Sequence, residues 1–363
     1  MQNGVIAAPT YDMGRTVVDR PLDESLTVVW QVPLAGSEPR DARIHTVSGE
    51  AVLTSAERGV VTLGADPPVL QPDADLWPVP VSVIGSGYPG QLMVIDEADT
   101  VYRLAPGVAP VPVWHCREDP NYTSVDGLPS GRLMVSSFDD AWSPTREIRT
   151  GTSLIEESTG EVLWHSPVML SPVMPTGGQV IGGADRDDLV SLDFGTGGEL
   201  WRRKRAMLSA SDAIAVVDGV LWTADPINER LVGFAVDSGR EAAAIAMPRP
   251  SRLTGLLDQA GTFHIGDEDG WLAVDLVHAR VAADIRFEPS GMGGVYKSRT
   301  VRSADGRLVL ADDRGQIFVV HPEDARKPRR VATCPPIQDI GIAAGRLLVL
   351  SHDGTLTALG RPS

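Results

Sequence analysis

Lys297 and Arg299 stand two residues apart in the run Tyr296-Lys297-Ser298-Arg299. On an extended strand, side chains two apart point the same way. Two cations facing one cavity would hold an anionic group through charge-assisted hydrogen bonds. The alternative is structural: both pair with carboxylates such as Asp339 or Asp212. Tyr296, Tyr122 and Trp142 could cover the apolar part of such a ligand, which gives five candidate contacts: Tyr122, Trp142, Tyr296, Lys297 and Arg299. Trp142 is the one tryptophan expected in a loop, where it is either a lid or stacking surface, or is buried against the fold beneath it. His115, with Cys116 and Tyr122, mixes titratable types that suit acid–base work. The catalytic candidates are therefore His115, Tyr122 and Lys297, set against the reading of a lone surface histidine.

Other chemistry has little support. The seven histidines, at 45, 115, 165, 264, 278, 321 and 352, form no H-x-H or H-x-x-x-H pair, and no metal site is expected. Cys116 and Cys334 are the only cysteines, and neither belongs to a C-x-x-C. Asp267-Glu268-Asp269-Gly270 stops short of a calcium loop, which needs a further ligand and a distal glutamate. A formal net charge of −16 opposes phosphate backbones, so nucleic acid is not an expected partner. The basic runs Arg202–Arg205 and Arg326–Arg330 read as solvated strand ends or loops. Residues 1–9 lack the basic start and apolar run of a signal peptide, and no stretch approaches a membrane span. A cytoplasmic location is expected, and the sequon Asn121-Tyr122-Thr123 is then chance. Arginine far outnumbers the three lysines, a codon bias of a GC-rich genome.

The elements that must position these residues repeat. Glycines at 49, 90, 131, 178, 219, 261, 306 and 345 lie 41, 41, 47, 41, 42, 45 and 39 residues apart. Each precedes a short apolar run such as Arg132-Leu133-Met134-Val135 or Arg346-Leu347-Leu348-Val349. A period near 42 with four short strands per unit is a repeat architecture. The fourth unit predicts strands at 172–174, 179–181, 189–192 and from 199, with turns at Gly177-Gly178, 184–188 and 195–198. Ala242–Ala246 has some helical character, but the repeat register makes it an outer strand. The aspartates at 185, 187, 188, 225, 267, 269, 312, 313 and 353 recur in one turn of successive units. Their expected role is to cap tight turns.

The last unit supplies three strands, 340–359, and stops, while Leu26–Val32 is a spare strand bearing Trp30. The other outer strands carry Trp77, Trp114, Trp164 and Trp201. Pairing the two chain ends would leave no open sheet edge. The expected fold is all-β: an eight-bladed β-propeller of four-stranded blades over residues 26–360, closed by the N-terminal strand on the last blade. Residues 1–25 precede it as a tail or strap.

Thr159-Gly160-Glu161-Val162-Leu163-Trp164 and Thr196-Gly197-Gly198-Glu199-Leu200-Trp201 resemble the T-G-E-x-L-W of the PQQ-like repeat. Asp269-Gly270-Trp271-Leu272-Ala273-Val274-Asp275 and Asp353-Gly354-Thr355-Leu356-Thr357-Ala358-Leu359 resemble its D-G-x-L-x-A-L-D. The match is good in units four, six and eight and blurred in one, two and five. The resemblance implies a quinoprotein-like propeller whose motif is structural, glycine for the turn and tryptophan for packing between blades; it specifies fold rather than chemistry. The family's dehydrogenases carry an adjacent-cysteine disulfide beside the quinone, and its lipoproteins a lipid-bearing N-terminal cysteine. Neither feature is in this sequence, so no cofactor is expected.

Function is less legible than fold. The first expectation is a cytoplasmic binding or scaffold protein using one face of the ring for a protein or small-molecule partner. The alternative is an enzyme of lyase or cyclase type acting on a small anionic metabolite at the channel mouth. The loops feeding units three and seven are where its site is expected, since function concentrates on loops.

Overall fold

A computed structural model describes residues 6–7, 26–34, 42–47, 50–55, 59–63, 67, 81–87, 91–96, 100–104, 111–115, 121–128, 131–138, 151–184, 188–204, 213–225, 227–249, 255–258 and 260–361. These residues are strands joined by turns, with one 3-10 turn at Pro322–Asp324. The fourth unit runs Ser171–Thr176, Gln179–Ala184, Asp188–Asp193 and Glu199–Arg203, an antiparallel sheet in chain order. The segment with helical character is indeed the outer strand Glu241–Ala246.

Hairpin chemistry explains the recurring glycine. Asp218 and Gly219 both have positive φ, 48° and 77°, between the strands Ala213–Val217 and Val220–Asp225. A two-residue hairpin with both φ values positive matches the right-handed twist of its strands, and glycine adopts that backbone without strain. Ala344 and Gly345 do the same at 50° and 74°.

Burial follows position in the sheet. The second and third strands are sandwiched between neighbouring sheets and are largely apolar and buried. Leu308–Asp312 is buried at every residue, whereas the outer strand Arg280–Arg286 alternates exposed and half-buried positions. The largest core cluster joins units four, five and six through Met174, Ile181, Trp222, Phe234, Phe263 and Leu272.

Neighbouring units are pinned by the tryptophans of their outer strands. Trp164 of unit three donates its indole N–H to the Phe194 carbonyl of unit four at 2.8 Å. Trp201 of unit four repeats this with the Val236 carbonyl of unit five at 2.9 Å. Each ring lies on a turn glycine: a Cβ at Gly197 would sit 2.5 Å from Trp164, and one at Gly239 2.6 Å from Trp201. The strand predicted to bear Trp77 lies outside the described residues; the described strands of the first unit are Arg43–Val47, Glu50–Ser55 and Gly59–Leu63.

Among the described residues, the sheets depart from uniform four-strandedness in two places. Units two and three share one eight-stranded sheet, joined by a single parallel bridge between Gly87 and Gly127. An ion pair of Arg103 with Glu157 crosses the same junction. In unit five a fifth strand, Ile6–Ala7, adds antiparallel to Ala213–Val217, pairing Ile6 with Val216 and Ala7 with Ala215. The segment before residue 26 thus reaches the inner edge of a sheet.

The chain ends meet as the incomplete last unit requires. Thr27–Pro33 pairs antiparallel with Thr355–Gly360 and completes the sheet of Ile337–Ala343 and Arg346–Ser351. Units eight and one also touch at their inner strands. The amide of Ile44 donates to Asp339 Oδ2 at 3.0 Å, and Gln338 Nε2 donates to the Ala42 carbonyl at 2.8 Å. Gly341 lies against Ile44, where a Cβ would come within 2.5 Å of Cγ2.

Candidate functional site

The strand Val295–Arg302 is the innermost of unit seven. Its entry loop is clamped to the adjoining turn. The amide of Gly293 donates to Asp312 Oδ2 at 2.9 Å, while Asp312 Oδ1 accepts from the amides of Arg314 and Gln316 at 3.0 and 2.7 Å. Asp312 is fully buried, and these amides are what make a buried carboxylate tolerable there. A side chain at Gly293 would collide with the Asp313 carboxylate.

The pleat is broken where the two cations lie. Val295 opposes Asp312 and Thr300 opposes Leu310, so the register shifts between them. A bulge re-aims side chains, and strict alternation does not fix a common direction for Lys297 and Arg299. Arg299 is buried, 9% exposed, and its Nη2 lies 3.5 Å from His352 Nε2 of unit eight. The side chains of Tyr296 and Lys297 lie outside the described residues, although their backbones belong to this strand. Asp339 is occupied by the Ile44 and Ile340 amides, and Asp212 lies outside the described residues.

The other candidates sit apart from this point in the chain. Tyr122 is in the inner strand Asn121–Leu128 opposite Ser137, again beside a register shift. His115 ends the outer strand Val111–His115 opposite Thr100. Trp142 and Cys116 lie outside the described residues. Among the described residues, the fold brings Arg299 to His352. The sequence reading passed over His352 as one of seven scattered histidines. Its only signal was its place, directly after the second strand of unit eight and so at the same end of the sheet as the aspartate turns.

Of those aspartates, Asp225, Asp267, Asp312 and Asp353 cap turns as expected, Asp188 pairs instead with Arg202 at 3.1 Å, and Asp185 and Asp187 lie outside the described residues. Asp225 Oδ1 accepts from the Asn228 amide, Asp267 Oδ1 from the amides of Asp269 and Gly270, and Asp353 Oδ1 from the Thr355 amide. A second set at the opposite end of the sheets went unnoticed: Asp193, Asp258, Asp275 and Asp305 bind amides two to four residues ahead.

Two buried polar clusters also escaped the sequence. In unit six, His264 Nε2 lies 2.9 Å from Asp258 Oδ2, and the Trp271 indole N–H donates to His264 Nδ1 at 3.3 Å. An indole only donates, so Nδ1 accepts and Nε2 carries the proton given to Asp258. Arg302 Nη1 of unit seven reaches the same carboxylate at 3.3 Å. Burial pushes the Asp258 carboxyl up, but the His264 hydrogen bond, the Thr262 amide and the charge of Arg302 outweigh it and hold it below the usual carboxylate range. Arg249, 3% exposed, pairs with Asp267 at 2.9 Å and Asp284 at 3.4 Å. Both clusters hold units together; their reactive atoms face one another. Among the described residues, no three His, Cys, Asp or Glu side chains gather as a metal ion would need, and no helix is long and apolar enough to cross a membrane.

Comparison with solved structures bears on the fold. BamB from Moraxella catarrhalis is 15% identical with a TM-score of 0.51, covering 93% of this chain and 100% of its own. The quinohemoprotein alcohol dehydrogenase from Comamonas testosteroni is 11% identical with a TM-score of 0.55, covering 100% and 82%. The chain has a β-propeller fold. A computationally designed protein, Ika8, is similar to the propeller at 12% identity and a TM-score of 0.57, covering 95% and 99%. No family model and no curated protein matches the propeller's sequence. At these identities the likeness describes architecture alone.

Proposed function

We propose that this chain is a cytoplasmic, eight-bladed propeller that binds a partner at one face of its ring. Eight blades follow from eight repeat units of near-constant spacing. Ring closure is supported by Thr27–Pro33 pairing with Thr355–Gly360 and by the contacts of Ile44 and Ala42 with unit eight. A free, partly buried Cys334 suits a reducing compartment.

The observation that carries the binding reading is Arg299. It is a buried guanidinium on an innermost strand, next to His352 of the following unit, at the end of the sheets that carries the aspartate turns. In a protein of net charge −16, a cation on an innermost strand is suited to an anionic group of a protein or small-molecule partner. Tyr122, Trp142, Tyr296 and Lys297 complete the proposed contacts.

Affinity purification from the native host, with mass spectrometry of bound proteins and of small molecules released on denaturation, identifies the partner. Arg299→Ala and Lys297→Ala should then each weaken its binding about tenfold or more. If both folded variants keep full affinity, the site lies elsewhere. A released metabolite that is turned over, with no stoichiometric protein, would instead make His115, Tyr122 and Lys297 catalytic candidates.

A further inference from the structure

The inner edge of unit five is already paired. In a propeller the first strand of each unit faces the centre, so its outer hydrogen-bonding edge is normally open. Here Ala213–Val217 carries Ile6–Ala7 on that edge, antiparallel, through two residue pairs. The strands elsewhere in the same sheet pair through four to six.

This edge differs in sequence from the other inner edges of comparable length; Leu256–Leu257 of unit six is also apolar but only two residues long. Ala213-Ile214-Ala215-Val216-Val217 is five consecutive apolar residues with no charge, proline or glycine. Ser171–Thr176 of unit four carries Pro172 and Pro175. Val295–Arg302 carries three basic residues, Ile337–Ala343 carries Asp339, Arg43–Val47 carries Arg43, and Asn121–Leu128 carries Asp126. Val81–Gly87 is interrupted by glycine and is bridged to unit three. Charges and prolines are the means by which proteins keep an edge from pairing. Unit five lacks them, and Ile214 to Val217 are buried side by side, so what the edge offers is its row of backbone donors and acceptors.

We infer that the inner edge of Ala213–Val217 is a docking edge for an extended, apolar peptide segment of a partner protein, with Ile6–Ala7 as its internal occupant. The inference rests on the reading that the propeller binds a protein partner. Strand addition takes affinity from the main chain and selectivity from alternate side chains. The fitting segment is therefore antiparallel, free of proline at the paired positions and built from small or β-branched apolar residues, as Val5-Ile6-Ala7-Ala8 is. A two-residue ladder is short enough to be displaced. It competes because it is tethered, at an effective concentration in the millimolar range. The tether is sufficient: the roughly 20 peptide steps from Ala7 to Thr27 span up to about 65 Å when extended.

The test uses the full-length protein. The double variant Ile6→Pro/Ala7→Pro removes both N–H groups of the occupant. Hydrogen exchange at residues 213–217 should accelerate about tenfold or more in the variant, with circular dichroism and thermal unfolding confirming the fold. A fluorescein-labelled synthetic peptide of residues 2–8 should bind the variant at least about tenfold better than the wild type and restore the protection. The same peptide with proline at both positions should not bind. Unchanged exchange in the variant, or equal peptide uptake by variant and wild type, overturns the inference. Lys297→Ala and Arg299→Ala are assayed alongside. Unweakened partner binding in those two would sink the site at Arg299 while peptide uptake stood, and the reverse pattern would sink the docking edge alone.

Discussion

The polar side chains that matter most in this propeller are those that bind other parts of it. Asp258 accepts from His264, from the amides of Ala260 and Thr262, and from Arg302 of the next unit. Its carboxyl is more acidic folded than unfolded. Between those two values the unfolded chain binds more protons, so stability rises with pH there. The contribution is complete above the unfolded value of about 3.9 and is lost as pH falls through the folded one. Asp225, Asp275 and Asp305 are also held low, burial again opposing and their hydrogen bonds prevailing. Asp258→Asn should cost about 1–3 kcal/mol near neutral pH and flatten the fall in stability below about pH 5. Urea titrations of both proteins between pH 3 and 7 read this, and parallel curves would contradict it. The turn aspartates were legible because their partners are local. The Asp258 cluster was not, since nothing in the spacing of 258, 264, 271 and 302 says that packing joins them. The candidate contacts suffered similarly: Arg299 lies on the expected inner strand, but its companion His352 belongs to another unit.

At the level of strands and turns the repeat was almost fully legible, because glycine hairpins and buried apolar runs are set by local geometry. Pleat direction was not. The register shift between Val295 and Thr300 recurs in the inner strands of other units, between Tyr122 and Ser124, Ala213 and Ala215, and Ile337 and Asp339, and no single residue type marks it. Two glycines separate turn geometry from packing between units. Gly178 has φ of +87° and open space around it, whereas Gly197 has φ of +70° under the Trp164 ring. Gly178→Ala should cost only the left-handed backbone, about 1–2 kcal/mol. Gly197→Ala adds overpacking, for a total of about 2–5 kcal/mol. Denaturant midpoints with unchanged slopes give both values. Equal losses would mean the tryptophan yields freely and does not pin unit three to unit four.

Across the whole molecule, the seam of unit eight ties together segments that are remote in sequence. Trp30 is buried there with Leu348, Leu350 and Leu356. Trp30→Ala should cost about 3–5 kcal/mol and raise hydrogen exchange in residues 27–33 and 355–360 together, as one cooperative unit. Protection surviving at 355–360 alone would refute that coupling. The spare strand at 26–32 made this seam readable. The bridge from Gly87 to Gly127 and the strand at Ile6–Ala7 were not, since neither interrupts the repeat. The seam also sets a timetable for synthesis. Thr27–Pro33 leaves the ribosome about 320 residues before its partner strand. At roughly 5–20 residues per second, it waits on the order of 15–60 s with a hydrogen-bonding edge exposed and Val28, Val29 and Trp30 unsheltered. During that wait another nascent chain is a competitor for the same edge, so the hazard grows with translation load and not with the stability of the finished fold.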